Sequence, residues 1–226
     1  AKVNTLMGAM HAGASAVFYE RFSASTFWES TRKHGATSAT FQGAMLEILW
    51  KTREPQDRDN PVATGRAAPV PAALHRDFEE YFRIRLYETF GATETGIVSF
   101  NAERRPGSCG KPLEEHFEVA VLDPEDNILE AGRPGILAIR PRVPYAMFTS
   151  YLDMPDYTLG AFRNLWFHTG DLVVQDADGY LSFVTRKSDS IRRRGENISP
   201  WEVEQAVTQV PGVLECVAYG VPSALT

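Results

Sequence analysis

The stretch WFHTGDLVVQDADGYLSFVTRKSDSIRRRGENISPWEVE, from Trp166 to Glu204, carries the densest structural signals in the chain. Short apolar runs flank the DADG sequence at 176–179, a pattern typical of a β-hairpin. After a basic segment, Ser199 and Pro200 have the residue types of a helix N-cap and first helical position, and Glu202 completes a capping box. The stretch predicts short antiparallel strands, then a hinge-like segment and a helix.

Upstream of this stretch, helix and strand patterns alternate. Apolar spacing and turn residues predict helices over 6–14, 25–33, 43–51 and from Pro71, and strands at 15–19, 39–41 and 83–87. Such alternation predicts an α/β layer with a mostly parallel sheet. We therefore expect an α/β subdomain over 1–105, a small antiparallel, barrel-like β subdomain over 106–185, and a hinge with the start of a truncated C-terminal domain over 186–226.

The composition is that of a soluble globular protein, with 226 residues, 43% hydrophobic and 23% charged. The net charge of −6 argues against nucleic acid as a partner, because phosphate backbones attract basic surfaces. No apolar run approaches the roughly 18 residues of a membrane span. Two distant cysteines, Cys109 and Cys216, provide neither a disulfide framework nor metal-ligand spacing, which favours a reducing, cytoplasmic location.

A second dense signal is FGATETG, from Phe90 to Gly96. A glycine after a strand lets the backbone approach a ligand, and Thr93 offers a hydroxyl to a phosphate oxygen. The Glu94 carboxylate is the kind of oxygen ligand that Mg²⁺ takes beside substrate phosphates. Phe90 offers a flat face to adenine. Taken alone, the stretch fits a glycine-rich turn with an exposed glutamate equally well.

Three weaker signals also suit a nucleotide. The small residues of TGRAAP (64–69) would let a nucleobase lie against the backbone, although a structural turn explains them too. Asp171, in HTGD, can accept both hydroxyls of a ribose or satisfy N–H groups of its own turn. Arg186 follows at the end of a strand, whereas at least two of Arg192–Arg194 fit a solvated basic turn.

In identity, order and spacing, FGATETG, HTGD, Arg186 and the GEN sequence at 195–197 resemble the AMP-forming adenylating enzymes. This superfamily includes acyl-CoA synthetases, aryl-CoA ligases, luciferases and peptide-synthetase adenylation domains. The resemblance covers nearly the whole chain. AGASAVFYERFSASTFWE, RRPGSCGKPL and RKSDSIRRRGENIS are most similar to the carnitine- or crotonobetaine-CoA ligase type. An acetyl-CoA synthetase-like fold with a mobile C-terminal domain is implied.

The resemblance also implies residue roles. Thr93 and Glu94 would be catalytic, with Glu94 as the Mg²⁺ ligand. The implied nucleotide-binding residues are Gly65, Ala67, Ala68, Pro69, Phe90, Gly91, Thr93, Asp171 and Arg186. The implied hinge is Ser188 with Asp189, the loop for the thiol step is Gly195, Glu196 and Asn197, and the acyl pocket is Phe41, Gln42 and Gly43. The sequence departs from the family pattern where Phe90 replaces Tyr, Thr185 replaces Gly and Arg194 replaces Gly.

The implied function is that of an ATP-dependent, AMP-forming acyl-CoA synthetase that uses ATP, Mg²⁺ and CoA. A carboxylate attacks the α-phosphate of ATP, and a thiol then displaces AMP. The family's lysine-containing phosphate loop and C-terminal catalytic lysine have no counterpart between Ala1 and Thr226. We therefore expect a fragment that is inactive alone. A carrier-protein-loading adenylation domain and a non-catalytic nucleotide-binding remnant are the alternatives.

Overall fold

The structure is a computed structural model that describes residues 2–186, 191–193, 196–198, 200–208, 210, 212–213 and 216–221. The chain divides into two compact units, Ala1–Leu113 and Glu114–Thr226. Each unit has its own sheet and its own cluster of buried apolar side chains. The domain boundaries expected at 105 and 185 stay predictions.

The first unit is an α/β layer. Its helices are α1 (Lys2–His11), α2 (Ala24–His34), α3 (Gly43–Lys51) and α4 (His75–Phe82), with a 3-10 turn at Pro55–Arg58. Its strands are β1 (Ser38–Gln42), β2 (Thr64–Ala68), β3 (Arg85–Ala92), β4 (Gly96–Phe100) and β5 (Lys111–Pro112). The strands lie in this order, with β1–β3 parallel and β3–β5 antiparallel. The α/β prediction is confirmed, and the sheet is mixed because β3 and β4 form a hairpin.

Aromatic packing holds the helices on one face of this sheet. Trp28 of α2 stacks on Phe82 of α4 with ring centroids 4.6 Å apart, and Phe41 of β1 meets Phe78 edge-on. All four side chains are almost fully buried. Phe78 and Phe82 lie one turn apart on the same face of α4, and this helix begins at His75, whereas the sequence predicted a start at Pro71.

Several local predictions agree with the structure and others do not. Helix α3 has both predicted ends, and α2 ends at Gly35, whose φ of 58° is the left-handed conformation of a helix C-cap. Helix α2 begins at Ala24, one residue before the predicted start, and Ser23 occupies its N-cap position. The strand expected at 15–19 is wrong, because these residues have no β-ladder partner. Helix α1 begins earlier than predicted and exposes much of its apolar surface.

The second unit contains the predicted antiparallel sheet. Its elements are β6 (Phe117–Leu122), β7 (Pro134–Pro141), α5 (Pro155–Ala161), β8 (Phe162–Arg163), β9 (Trp166–Gln175) and β10 (Leu181–Arg186). The order is β10-β9-β7-β6, and β8 pairs with β9. Asp176 accepts hydrogen bonds from the backbone N–H groups of Asp178 and Tyr180, which closes the predicted DADG hairpin between β9 and β10.

The chain continues with a two-stranded ladder and a helix. Strands β11 (Ile191–Arg193) and β12 (Glu196–Ile198) pair antiparallel, and α6 spans Pro200–Thr208. Pro200 is the first helical residue, as predicted, whereas Ser199 lies outside the described residues. Every helix that the structure describes is too short or too polar to act as a transmembrane segment.

Candidate active site

In the first unit, predicted site residues gather at the carboxyl ends of three parallel strands. Gln42 of β1 pairs with Ala68 of β2, and the preceding Ala67 pairs with Glu88 of β3. Carboxyl ends of parallel strands meet at one edge of a sheet, which is where α/β proteins commonly bind ligands. The register thus brings the predicted acyl-pocket and nucleotide-loop segments together.

The ends of β1 and β2 are in close contact. A Cβ added to Gly43 would lie 3.2 Å from the carbonyl oxygen of Pro69, so glycine lets these two segments approach. Ala68 and Pro69 themselves are exposed. Phe41 is 2% exposed and packs into the core, so it supports this edge from beneath.

Gly65 has a packing role that the sequence does not reveal. A Cβ at this position would lie 2.6 Å from Cε2 of Phe41 and 2.8 Å from Cδ2 of Leu86. Real Cβ atoms essentially never approach so closely, and both neighbours are buried. Gly65 is therefore required for β2 to lie flat on the core, whether or not it also contacts a nucleotide.

The FGATETG segment forms the turn of the β3–β4 hairpin. The register shifts between Phe90 and Gly91, and a Cβ at Gly91 would lie 2.0 Å from the carbonyl oxygen of Gly96. The buried hydroxyl of Thr95 accepts the N–H of Ala92 and donates to the Gly96 carbonyl. Only glycine fits at Gly91, and Thr95 keeps the turn closed.

This turn presents the two residues predicted to be catalytic. Thr93 is exposed and Glu94 is partly buried, while Phe90, just before them, is also partly buried. Among the described residues, no group of three or more His, Cys, Asp or Glu side chains could hold a metal ion.

Glu88 is an unusual buried acid beside this edge. It is 5% exposed, and the backbone N–H of Val70 is a hydrogen-bond donor to its carboxyl group. Its Oε2 atom has no hydrogen-bond partner in the part of the chain that the structure describes. Burial raises the pKa of Glu88 to about 8, and the Val70 hydrogen bond opposes this shift only in part. The group is therefore mostly protonated at neutral pH.

In the second unit, HTGD forms a bulge in β9, where the sequence suggested a turn. Ala138 of β7 pairs with His168 and Ile136 pairs with Leu172, so Leu137 faces three residues of β9. The Thr169 hydroxyl donates to the Leu137 carbonyl at 3.0 Å and accepts the N–H of Asp171 at 3.1 Å. Bulges of this kind redirect side chains and are common beside active sites.

The bulge brings Asp171 next to Arg186. The two residues are paired across β9 and β10, and Nε of Arg186 donates to Oδ1 of Asp171 at 3.0 Å. Asp171 is 4% exposed, whereas most of the Arg186 side chain is open to solvent. A buried carboxylate held by a cation and a backbone bulge is well fixed to accept hydrogen bonds from a ligand.

The remaining predicted site residues fall on the C-terminal segment. The hinge residues Ser188 and Asp189, together with Gly195, lie outside the described residues. Glu196 and Asn197 belong to β12, where their backbones pair with Arg193 and Arg192. Their roles stay predictions.

Sequence reasoning missed three residues that build the site. Thr95 and Thr169 are short polar residues inside recognised motifs, and their roles depend on backbone partners that only the fold provides. Glu88 gave a usable signal, because it is an acid within a mostly apolar strand pattern two residues before Phe90. The alternation of side chains along β3 could have indicated that it points inward.

The family was identified by comparison with known proteins. A family model described as AMP-binding enzyme matches residues 1–152. The chain belongs to this family. Sulfoacetate–CoA ligase of Cupriavidus necator is 34% identical over 93% of the chain and 42% of that protein. Crotonobetaine/carnitine–CoA ligase of Salmonella paratyphi C is 32% identical over 97% of the chain and 44% of that protein. Oxalate–CoA ligase of Arabidopsis thaliana is 34% identical over 96% of the chain and 44% of that protein.

Two solved structures are similar to this chain in fold. The o-succinylbenzoate CoA synthetase of Bacillus subtilis, in complex with its acyl-adenylate intermediate, is similar with a TM-score of 0.82 and 26% identity, over 99% of this chain and 46% of that one. ATP-bound MatB from Rhodopseudomonas palustris has a TM-score of 0.82 and 27% identity, over 96% of this chain and 43% of that one. The chain thus spans less than half the length of these relatives.

Proposed function

We propose that this chain is the nucleotide-binding part of an ATP-dependent, AMP-forming acid–CoA ligase. The Asp171–Arg186 pair carries the proposal, because a buried carboxylate fixed by an arginine suits the two hydroxyls of a ribose. Phe90, Thr93 and Glu94 supply the complementary chemistry, namely a stacking face, a hydroxyl and a carboxylate. The relatives' names, which include sulfoacetate, oxalate and carnitine, support a small polar acid as the substrate class.

In the proposed reaction, the carboxylate of the acid attacks the α-phosphorus of ATP, and the bond to pyrophosphate breaks. The thiol of CoA then attacks the acyl carbon, and AMP leaves with its phosphate oxygen. Catalysis of this kind depends on positioning and on charge neutralisation. Asp171 and Arg186 would orient the ribose, while Thr93 would donate a hydrogen bond to a phosphate oxygen. Mg²⁺, held at Glu94 beside substrate phosphates, supplies charge neutralisation when bound.

The decisive experiment is ATP–pyrophosphate exchange, measured with the product of the complete gene and a panel of carboxylic acids. We expect exchange with at least one small polar acid, and acyl-CoA on addition of CoA. Absence of exchange with every acid would refute the ligase proposal and favour a non-catalytic nucleotide-binding protein. If the protein catalyses exchange and loads a carrier protein but forms no acyl-CoA, the acyl acceptor is the carrier protein and not CoA.

The ribose contact can be tested separately by calorimetric titration with AMP. We expect Asp171→Asn to weaken AMP binding by about 10- to 100-fold, because hydrogen bonds to a charged group are lost. Asp178→Asn is the matched control, since it removes the same charge from an exposed position in the β9–β10 hairpin. Equal AMP affinity in Asp171→Asn and Asp178→Asn would exclude Asp171 from the nucleotide site.

The cellular location is a further part of the proposal. Neither Cys109 nor Cys216 forms a disulfide, and the proposed reaction consumes ATP and CoA, which together favour the reducing cytoplasm. Recovery of the protein in the cytosolic fraction, together with a cytosolic marker enzyme, is the expected result. Recovery in an extracytoplasmic fraction would contradict it.

A further inference from the structure

A polar cluster of Thr5, Thr40 and Arg66 lies on the sheet face opposite the aromatic core of the first unit. The hydroxyls of Thr5 and Thr40 are 3.1 Å apart, and Nη2 of Arg66 donates to the Thr5 hydroxyl at 3.3 Å. Thr40, Arg66 and Tyr87 are register partners on β1, β2 and β3. Since side chains alternate along a strand, these three point away from the face that buries Phe41, Ala67 and Leu86.

Arg66 has more hydrogen-bonding capacity than this cluster uses. A guanidinium group offers five N–H donors and recognises planar carboxylates with two of them at once. Among the described residues, no carboxylate lies within ion-pair distance of Arg66. Partial burial lowers the pKa of Arg66 and no acid opposes the shift, although the group stays cationic at neutral pH. A half-buried guanidinium group with unused N–H donors is able to bind an anion from outside the chain.

The position of Arg66 in the sheet indicates which anion it would bind. It precedes Ala67, Ala68 and Pro69, the segment proposed to border the nucleotide. The neighbouring strand β1 ends at Gln42, and Gly43 follows as the first residue of α3; both were predicted to line the acyl pocket. An acid that reacts with ATP at this edge of the sheet would extend away from the nucleotide and over the same strands. The far end of a short acid would then come within reach of a long side chain on β2.

We infer that Arg66 binds a second anionic group on the acid substrate, so that the preferred substrates are short acids with a carboxylate or sulfonate at the far end. This inference rests on the proposed ligase function and specifies its substrate class. Thr5 orients the guanidinium group through its hydrogen bond with Arg66, and Thr40 in turn contacts the Thr5 hydroxyl. Arg66 is thus a specificity-determining residue, while the reacting carboxylate is recognised elsewhere.

The test compares acids of equal chain length with the product of the complete gene. Succinate is paired with butyrate, and malonate with propionate, in ATP–pyrophosphate exchange. We expect the wild type to prefer each diacid, and Arg66→Met to lower kcat/KM for the diacids by about 10- to 100-fold while the values for the monoacids change less than about twofold. Arg66→Lys should fall between them, since it keeps the charge but loses the planar fork.

Arg85→Met is the matched control, because Arg85 is an exposed arginine on the adjacent strand β3. It should leave the diacid preference unchanged. Equal losses for diacids and monoacids in Arg66→Met would show that Arg66 only attaches α1 to the sheet, and would overturn the inference. So would a wild-type preference for monoacids, which remains measurable even if Arg66→Met fails to fold. Absence of exchange with any acid would instead refute the underlying ligase proposal.

Discussion

The protonation of Glu88 gives the sharpest test of the structure. Its pKa rises from 4.5 in the unfolded chain to about 8 in the folded one, a difference of 8 − 4.5 = 3.5. Between these two values the folded state binds the extra proton, so the free energy of unfolding falls as pH rises. At about 1.36 kcal/mol per pKa unit, the full loss above pH 8 is about 5 kcal/mol, and the loss at pH 7 is about 3 kcal/mol.

Glu88→Gln removes this ionisation while it keeps the size of the side chain and an oxygen that accepts the Val70 N–H. We expect the variant and the wild type to have similar stability at pH 4.5 or below. The variant should then become more stable than the wild type by about 3 kcal/mol at pH 7. Urea unfolding of the 226-residue chain from pH 4.5 to 9 measures the difference, with Trp28 as a buried fluorescent reporter in the same unit.

The control for this experiment is Glu29→Gln, which changes an exposed glutamate on α2. Its unfolding free energy should follow that of the wild type at every pH. If Glu88→Gln also runs parallel to the wild type from pH 4.5 to 9, then Glu88 is ionised or solvated in the folded protein. The description of Glu88 as a neutral buried group beside the proposed nucleotide segment would then be refuted.

Two further predictions concern a glycine in the β3–β4 hairpin and an ion pair in the second unit. Gly91→Ala should destabilise the first unit by more than about 2 kcal/mol in urea unfolding, since its Cβ would meet the Gly96 carbonyl. Gly8→Ala, at an open position in helix α1, should be neutral or slightly stabilising, and equal effects of the two variants would contradict the hairpin geometry. Asp126→Asn should lower the free energy of unfolding by about 1 kcal/mol, because it removes an ion pair with the half-exposed Arg163. Asparagine tolerates the φ of 66° at this turn, so no backbone strain should add to the loss. The loss should shrink in 1 M salt, and a loss that does not depend on salt would contradict an ion-pair origin.

Elements with strong local determinants were predictable from the sequence. Helix α3 begins at a glycine after a short strand and ends at Lys51, as the apolar spacing indicated. The hairpin at 176–179 follows from an aspartate that caps its own turn, which is a property of a few consecutive residues. The motifs FGATETG and HTGD could be recognised for the same reason, because each is a short run of consecutive residues.

Features that depend on distant partners were not predictable. The mostly apolar run at 15–19 fits a strand, but a strand forms only where another strand pairs with it, and none does here. Gly170 and Asp171 have the composition of a turn, yet pairing with β7 makes them a bulge. The contact of Arg66 with Thr5 spans 61 residues and could not be inferred from either segment alone.

The close approach of Gly43 to Pro69 has a consequence for enzyme redesign. If the acid lies beside Gly43, enlarging this residue to trim the pocket would also push on the segment that borders the nucleotide. Selectivity for the acid and affinity for ATP would then change together, so a laboratory evolution campaign should vary positions 43 and 69 as one coupled pair.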